Sequence, residues 1–405
     1  MNTVSNPPAT RRITIVSETF APEINGVANT LKHLCRGLCA RGHEVQVVRP
    51  AQAGDKDVGE HPEPGSVLHH NLVRVAGLPL PGYPGLQFGL TRRQRLSALW
   101  RKKRPDLVYV ATQGPLGLVA VAAARELGIP VCSGFHTNFH SYSRHYHAAF
   151  LSRLLERYGR WFHNRTALTL VPTRAMATRV QAMGIHPTGL WSRGVDCQLF
   201  APGKRDPDLR QAWGLQSRDR AVLYVGRLAS EKNLQLAVSC FERVRALHPS
   251  AKFILVGDGP QRKRLQAKHP EYVFCGIRKG EDLARHYASG DLFLFPSKTD
   301  TFGNVVTEAM ASGLAVVAFD DAAASEHIRH QENGMVAALD DDEAFVEHAL
   351  TLAQQNTLLA NIRQQARLDA LDLDWASQVE QFEQLTLTLN RRDRYHAVTP
   401  GIPLL

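Results

Sequence analysis

Two carboxylates and two cations carry the chemistry this sequence can do. Asp300 and Glu308 stand with seven residues between them in Phe295-Pro-Ser-Lys-Thr-Asp-Thr-Phe-Gly-Asn-Val-Val-Thr-Glu308-Ala-Met-Ala-Ser-Gly313. An acid on a loop and an acid one turn into a helix can hold two hydroxyl-rich parts of one ligand, because carboxylates accept from hydroxyls. An ordinary strand-to-helix loop with a capping Asp and a solvated Glu has the same spacing. Arg227 and Lys232 follow another strand end, in Val225-Gly-Arg-Leu228 and Glu231-Lys232-Asn233. Cations and the free N–H groups of a helix start stabilise a diphosphate. A nucleotide-sugar uses all of these groups at once. A nucleoside triphosphate fits less well, because no G-x-x-x-x-G-K-[ST] is present.

Two further positions belong with these. Asn25-Gly26 sets a glycine at a helix start, where a phosphate can approach the backbone closely. The loop before it lacks G-x-G-x-x-G, so dinucleotide binding is unsupported. His136 ends the Pro130–Phe135 strand and reads as a ligand-facing polar group, since open α/β sheets bind ligands at strand C-termini. With His140, His145 and His147 it makes four histidines in twelve residues. No carboxylate accompanies them, and a following helix would scatter them, so no metal site is expected. Asp372-Leu-Asp374 has the D-x-D form of some metal-dependent sugar transferases, but it falls in a late helical region and reads as chance.

Repeated strand, polar loop and helix units must position these groups. Arg12–Val16 and Glu44–Val48 flank a helical stretch over 27–41, a βαβ unit that predicts a parallel sheet. Strands at 106–110, 130–135 and 167–171 continue it. A second run has strands at 221–225, 252–256, 273–275, 291–295 and 315–318, and its loops concentrate Gly, Arg, Lys and carboxylates on one sheet edge. Between the runs, Pro202–Asp208 reads as a linker, and the tail holds a helical stretch over 376–389.

The 405 residues suit two or three domains, and 44% hydrophobic content is enough for large cores. Charge is uneven: residues 1–200 carry 24 Lys/Arg against 11 Asp/Glu, and 201–405 carry 24 against 27. A basic first half suits an anionic membrane surface or a phosphorylated ligand. Zinc-finger spacing and RNP-like aromatics are absent from the sequence, so nucleic acid is not the expected partner. The Pro-, Gly- and Leu-rich stretch 76–91, followed by Arg92, Arg93, Arg95 and Arg101–Arg104, reads as a membrane-surface patch or as a packing loop before a solvated helix. Six scattered cysteines with no C-x-x-C fit a reducing cytosol. The first twelve residues lack an apolar signal core, and the longest uncharged run, 107–124, is broken by Gly and Pro and is not a membrane span.

The chain resembles the GT-B glycosyltransferases of retaining family 4. The resemblance runs from Arg12 to about Leu389. It rests on Asn25-Gly26-Val27, Phe135-His136-Thr137, Gly194-Val-Asp196, Val225-Gly-Arg-Leu228, Val256-Gly-Asp-Gly-Pro260 and the stretch from Phe295 to Gly313, in that order and spacing. Ser17-Glu-Thr-Phe-Ala-Pro-Glu-Ile-Asn-Gly26 and Thr299-Asp-Thr-Phe-Gly303 look most like GDP-mannose-dependent α-mannosyltransferases and sulfoquinovosyl-diacylglycerol synthases. This implies two Rossmann-like α/β domains facing across a cleft. Residues 11–200 would be the acceptor side, 201–372 the nucleotide-sugar side, and 373–390 a helix crossing back to the first domain; 1–10 and 391–405 are expected to be disordered.

The resemblance also implies roles. Arg227 and Lys232 would bind the donor diphosphate and support its departure. Asp300 would contact donor-sugar hydroxyls and Glu308 the ribose. The backbone N–H groups of Phe302, Gly303 and Asn304 would meet sugar and phosphate. His136 would lie beside the donor sugar, and Gly26 would let the first loop approach diphosphate and acceptor. Asp300 stands where the family pattern has Glu, one methylene longer. The implied reaction moves a hexose, mannose from GDP-mannose, to a lipid, lipid-linked or glycan hydroxyl with retention, without a metal or other cofactor. The enzyme would be cytoplasmic, with peripheral contact on the inner face of the membrane. A UDP-sugar-dependent glucosyl, glucuronosyl or sulfoquinovosyl transfer to diacylglycerol is the alternative. A nucleotide-sugar epimerase or hydrolase would need a further acid–base pair that the sequence does not reveal.

Overall fold

The computed structural model describes residues 10–23, 25–52, 55, 72–79, 87–136, 149–300, 302–387 and 389, with backbone alone at 149–152. His140, His145, His147, Thr301, residues 80–86 of the apolar stretch, and the terminal segments apart from Thr10 lie outside these. The chain divides into two compact units, Met1–Ser192 with Gln378–Leu405, and Arg193–Ser377.

In the first unit the described strands are β1 (Arg12–Val16), β2 (Glu44–Pro50), β3 (Leu72–Pro79), β4 (Gln87–Leu90), β5 (Leu107–Val110), β6 (Val131–Gly134), β7 (Leu168–Val171) and β8 (Thr188–Leu190). They form one sheet in the order β4-β3-β2-β1-β5-β6-β7-β8. All neighbours are parallel except β3 and β4. The expected parallel sheet forms, with one antiparallel strand, β4, added at its edge. The 76–91 stretch, expected as a loop, is in its described parts an antiparallel hairpin pair, with Ala76 opposite Leu90. Leu78 and Leu90 on it are exposed.

The second unit has β9 (Ala221–Val225), β10 (Lys252–Val256), β11 (Val273–Gly276), β12 (Leu292–Phe295), β13 (Ala315–Phe319) and β14 (Met335–Ala337). Among the described residues these make an all-parallel sheet in the order β11-β10-β9-β12-β13-β14. The apolar strands read as continuous runs because both sheet faces are covered. Alternate residues go to opposite faces: Ala221, Leu223 and Val225 pack with Phe293 and Val306, whereas Val222 and Tyr224 pack with Phe241 and Leu292.

Two expectations about the connections change. Arg193–Phe200 packs with the second unit, because Val195, Cys197 and Phe200 are buried in its core and the Val195 N–H donates to the Leu373 carbonyl at 2.9 Å. Pro202–Asp208 is packed rather than a loose linker: Arg205 donates to Asp291 Oδ1 at 2.8 Å, and Asp206 caps the Pro207–Ala212 helix. The helix Trp375–Thr386 places Val379 and Phe382 in the first unit's core. Phe382 meets Tyr109 and Trp191 edge to face, each at 5.2 Å between ring centroids. Burying such a side chain contributes about 1.5–3 kcal/mol.

Candidate active site

In the second unit, strand order reverses between β9 and β12, and a ligand binds an open α/β sheet at such a switch, beyond the strand C-termini. The two loops that leave the sheet there carry Arg227, Lys232 and Asp300. The loop after β9 is held against the loop after β10. Gly226 N–H donates to Val256 O at 3.0 Å, and Leu228 N–H to Asp258 O at 2.9 Å. A Cβ on Gly257 would lie 1.9 Å from the Gly226 carbonyl oxygen, and φ there is +138°. Only glycine fits. Gly257→Ala is expected to lower the thermal midpoint by several degrees, since the backbone strain alone costs about 1–3 kcal/mol. Gly280→Ala has no atom within 4 Å of the added Cβ and should cost less at its own positive φ; differential scanning calorimetry of both variants checks this.

Asp300 reaches back across the switch point. Lys232 Nζ donates to its Oδ1 at 2.8 Å and to its Oδ2 at 2.7 Å. Thr299 Oγ1 donates to the Glu231 carbonyl at 3.3 Å and ties the same two loops. Both members of the ion pair are about four-fifths buried, with side-chain exposures of 20% and 24%. Arg227 differs. Its side chain is 67% exposed, and Glu231 Oε1 lies 3.6 Å from its Nη1. Lys298 on the same loop joins Asp340 and Asp342 instead.

The β12 loop turns into the Asn304–Ala311 helix at Gly303, whose φ is +84°. Phe302 is buried, and its carbonyl accepts from Ala323 N–H at 2.7 Å. The start of an α-helix leaves backbone N–H groups without an i−4 partner and carries a partial positive charge; here the Val306 N–H turns to the Gly303 carbonyl at 3.0 Å. Glu308, one turn in, accepts from the Tyr287 hydroxyl at 2.9 Å. Burial of its carboxyl pushes the pKa up to about 7, against the lowering by the Tyr287 hydrogen bond. An ionised Glu308 can accept hydrogen bonds from a ligand's hydroxyls through both oxygens; a protonated one does so less well. The raised pKa gives the sign: the charged form, and with it affinity for a hydroxyl-bearing ligand, grows as pH rises through about 7. The expected gain is about tenfold between pH 6 and 8, and Glu308→Gln should be weak and flat across that range by titration calorimetry.

In the first unit the reversal lies between β1 and β5. Asn25 caps the Gly26–Ala40 helix by accepting from Ala28 N–H at 2.9 Å, which sets Gly26 as its first residue. The same loop is anchored by Glu18, buried, whose carboxylate accepts from Leu116 N–H at 2.8 Å and from Gly89 N–H. Burial pushes Glu18 up to about 7 as well. His136 follows β6, with its Nε2 2.9 Å from the Tyr109 hydroxyl. Gly134 leaves room for both rings, since a Cβ there would fall 2.3 Å from the Tyr109 oxygen.

Of the residues singled out in the sequence, Lys232 and Asp300 are in contact, and Phe302, Gly303, Asn304 and Glu308 share one loop and helix. Arg227 sits on the Lys232 loop without touching either acid. His136 and Gly26 lie at strand C-termini of the other unit. Tyr287, Arg193, Tyr109 and Glu18 were not singled out. Arg193 directly precedes the quoted Gly194-Val-Asp196, and Glu18 lies in the quoted first loop, so proximity to a motif was the available signal. Tyr287 and Tyr109 had none, because which face of a helix or strand they present depends on packing. Among the described residues, Glu242, His269 and Glu271 bring three ligand atoms within 4.8 Å of one another. Arg245 already bonds both carboxylates of that group and supplies its positive charge.

The architecture has close counterparts. HepE from Anabaena, solved in complex with UDP, superposes with a TM-score of 0.73 over 93% of this chain and all of that one, at 20% identity. The fold is GT-B. Residues 24–199 match the model described as Glycosyltransferase Family 4, and 219–355 match Glycosyl transferases group 1. A GDP-mannose-dependent alpha-mannosyltransferase of Corynebacterium glutamicum is 35% identical over 76% of this chain and 71% of its own length. Sulfoquinovosyl transferase SQD2 of Arabidopsis thaliana is 28% identical over 87% of this chain and 68% of its own length. The chain belongs to glycosyltransferase family 4, and it is a glycosyltransferase.

Proposed function

We propose that the protein transfers mannose from GDP-mannose, with retention at the anomeric carbon, to a hydroxyl of a lipid or lipid-linked acceptor. The observation that carries this is the Lys232–Asp300 pair at the switch point, 2.7 Å apart. It sets a diphosphate-binding cation beside a hydroxyl-binding acid, which is the junction between phosphate and sugar in a nucleotide-sugar. Arg227 and Lys232 take the diphosphate, and the start of the 304–311 helix adds its N–H groups at Phe302, Gly303 and Asn304. Glu308 holds the ribose. As the glycosidic bond breaks, negative charge grows on the leaving diphosphate, and the two cations offset it, so no divalent metal is needed. The diphosphate oxygen takes the acceptor proton on the face where the new bond forms. To His136 the reading gives a contact with the donor sugar, and to Gly26 the close approach of diphosphate and acceptor to the backbone. Mannose and guanine rest on the relatives named for GDP-mannose, at 34–35% identity.

The lipid acceptor rests on the surface of the first unit. The exposed Leu78 and Leu90 lie near the exposed Arg92, Arg93 and Arg95 in sequence, and the Arg93–Lys102 helix ends in Arg101 and Lys102. Apolar side chains beside basic ones suit peripheral contact with anionic lipid on the cytoplasmic face. No helix among the described residues is long and apolar enough to cross a membrane. A UDP-sugar donor with a diacylglycerol acceptor is the second reading, favoured by the likeness to the sulfoquinovosyl transferase. Purified protein given GDP-mannose, UDP-glucose and UDP-sulfoquinovose in turn, with extracted membrane lipid and with EDTA present, is expected to form a hexosyl lipid from GDP-mannose. Product from a UDP-sugar alone would move the assignment to the second reading.

A further inference from the structure

Arg193 is only 6% exposed, yet it lies beside the proposed donor site. It is delivered by a segment that has little freedom. The next residue, Gly194, packs so closely that a Cβ would sit 2.7 Å from the Trp375 indole. Val195 donates its N–H to Leu373 O at 2.9 Å and pairs with Asp374. From this fixed backbone the guanidinium reaches the start of the 304–311 helix. Its Cζ lies 5.4 Å from the centroid of the buried Phe302 ring, within cation–π range. Its Nη1 donates to Asn304 Oδ1 at 3.3 Å.

That hydrogen bond decides how Asn304 is oriented. A guanidinium has five N–H donors and no acceptor. Only the oxygen of the Asn304 amide can face it. The NH2 group is thereby turned away from Arg193, and Asn304 is half-exposed at the first position of the helix. Without Arg193 the amide can rotate by half a turn and present its oxygen instead. Asp300, on the same loop, offers carboxylate oxygens and so selects hydroxyl hydrogens. A fixed amide NH2 at the start of the following helix selects an oxygen lone pair. Together they would read both halves of a hydroxyl pattern.

The geometry points to Arg193 as a positioning residue that holds the Asn304 side chain with its Nδ2 hydrogens toward the transferred sugar, so that Asn304 donates to a sugar oxygen. The inference rests on the nucleotide-sugar reading of this site, and it adds a side-chain contact to the backbone role already given to Asn304. Asn304→Asp separates the two contributions. It keeps shape and an oxygen for Arg193, but it replaces the ligand-facing donor with an acceptor.

The test compares wild type, Arg193→Ala, Arg193→Lys, Asn304→Ala, Asn304→Asp and the Arg193→Ala/Asn304→Ala double variant. Each is measured for transfer kinetics and, by calorimetry, for affinity toward GDP-mannose and toward GDP alone. Asn304→Asp and Arg193→Ala are expected to lose roughly 10- to 100-fold in kcat/KM and in GDP-mannose affinity, as for a lost hydrogen bond to a polar partner. GDP affinity should stay within about twofold in Asn304→Ala, because the sugar contact is absent from that probe and no charge is added; in Asn304→Asp the loss for GDP-mannose should exceed the loss for GDP. Arg193→Lys should recover most of the loss, since an ammonium also donates to Oδ1. The double variant should match Asn304→Ala, because Arg193 acts through Asn304. Additive losses, wild-type behaviour of Asn304→Asp, or an equal loss of GDP affinity would each overturn the inference. Should Arg193→Ala fail to fold, Asn304→Asp and the two affinities decide alone. If wild type binds or turns over no nucleotide-sugar at all, the donor-site reading itself fails, a result distinct from every variant outcome.

Discussion

Lys232→Ala is expected to lower kcat/KM by roughly 10²–10³, the loss seen when one preorganised charge stabiliser is removed from a transition state. Two effects act in the same direction. The cation proposed to face the leaving diphosphate disappears, and Asp300 loses the partner that neutralises it. Lys232 is held by two hydrogen bonds of 2.7–2.8 Å, so it is already oriented before the donor arrives. Arg227→Ala should cost less than Lys232→Ala, because Arg227 is largely exposed and must be ordered by the ligand. Steady-state kinetics on both variants checks the order. A Lys232→Ala enzyme within threefold of wild type would remove Lys232 from the mechanism.

Asp300→Ala is expected to abolish measurable transfer while nucleotide affinity is kept or improved. The contact with Lys232 makes this sharper than the family pattern alone would. Lys232 Nζ bonds both Asp300 oxygens, so a diphosphate bound at Lys232 shares the cation with that carboxylate. In the proposed roles, deleting the carboxylate leaves the lysine to the nucleotide and removes a repulsive charge, while the sugar loses its hydroxyl acceptor. Asp300→Asn should fall between, keeping shape without charge. Calorimetry with GDP, run beside the transfer assay, separates binding from turnover. Activity retained in Asp300→Ala would contradict the sugar-binding role. Parallel loss of GDP affinity and turnover would mean that Asp300 supports the fold of the loop instead.

Much of the fold was legible because buried parallel strands leave plain traces. Ala221–Val225 and Lys252–Val256 are apolar runs ended by glycine, and both are strands in the structure. The antiparallel edge was not legible. Pro and Gly crowd the 76–91 stretch, and its apolar residues do not alternate cleanly, so the ladder between β3 and β4 depends on pairing rather than on local pattern. The polar residues of the site were legible as types at strand ends. Their contacts were not. Lys232 and Asp300 meet because β9 and β12 are sheet neighbours, a fact of strand order that neither loop encodes alone. Tyr287 reaches Glu308, and Arg193 reaches Asn304, through helix orientation and through the packing of the 193–200 segment into the second unit. Those depend on tertiary contacts, where single-chain pattern has no purchase.

The measurement that tests the account most directly is the anomeric configuration of the product. Purified protein is incubated with GDP-mannose and extracted lipid acceptor, and the new glycosidic linkage is read by NMR coupling constants beside GDP release. Retaining transfer is expected to give an α-mannosyl product with one GDP released per linkage formed. A β-linked product would contradict the proposed same-face departure and attack at a diphosphate bound by Arg227 and Lys232, and GDP release without any new linkage would contradict transfer from GDP-mannose.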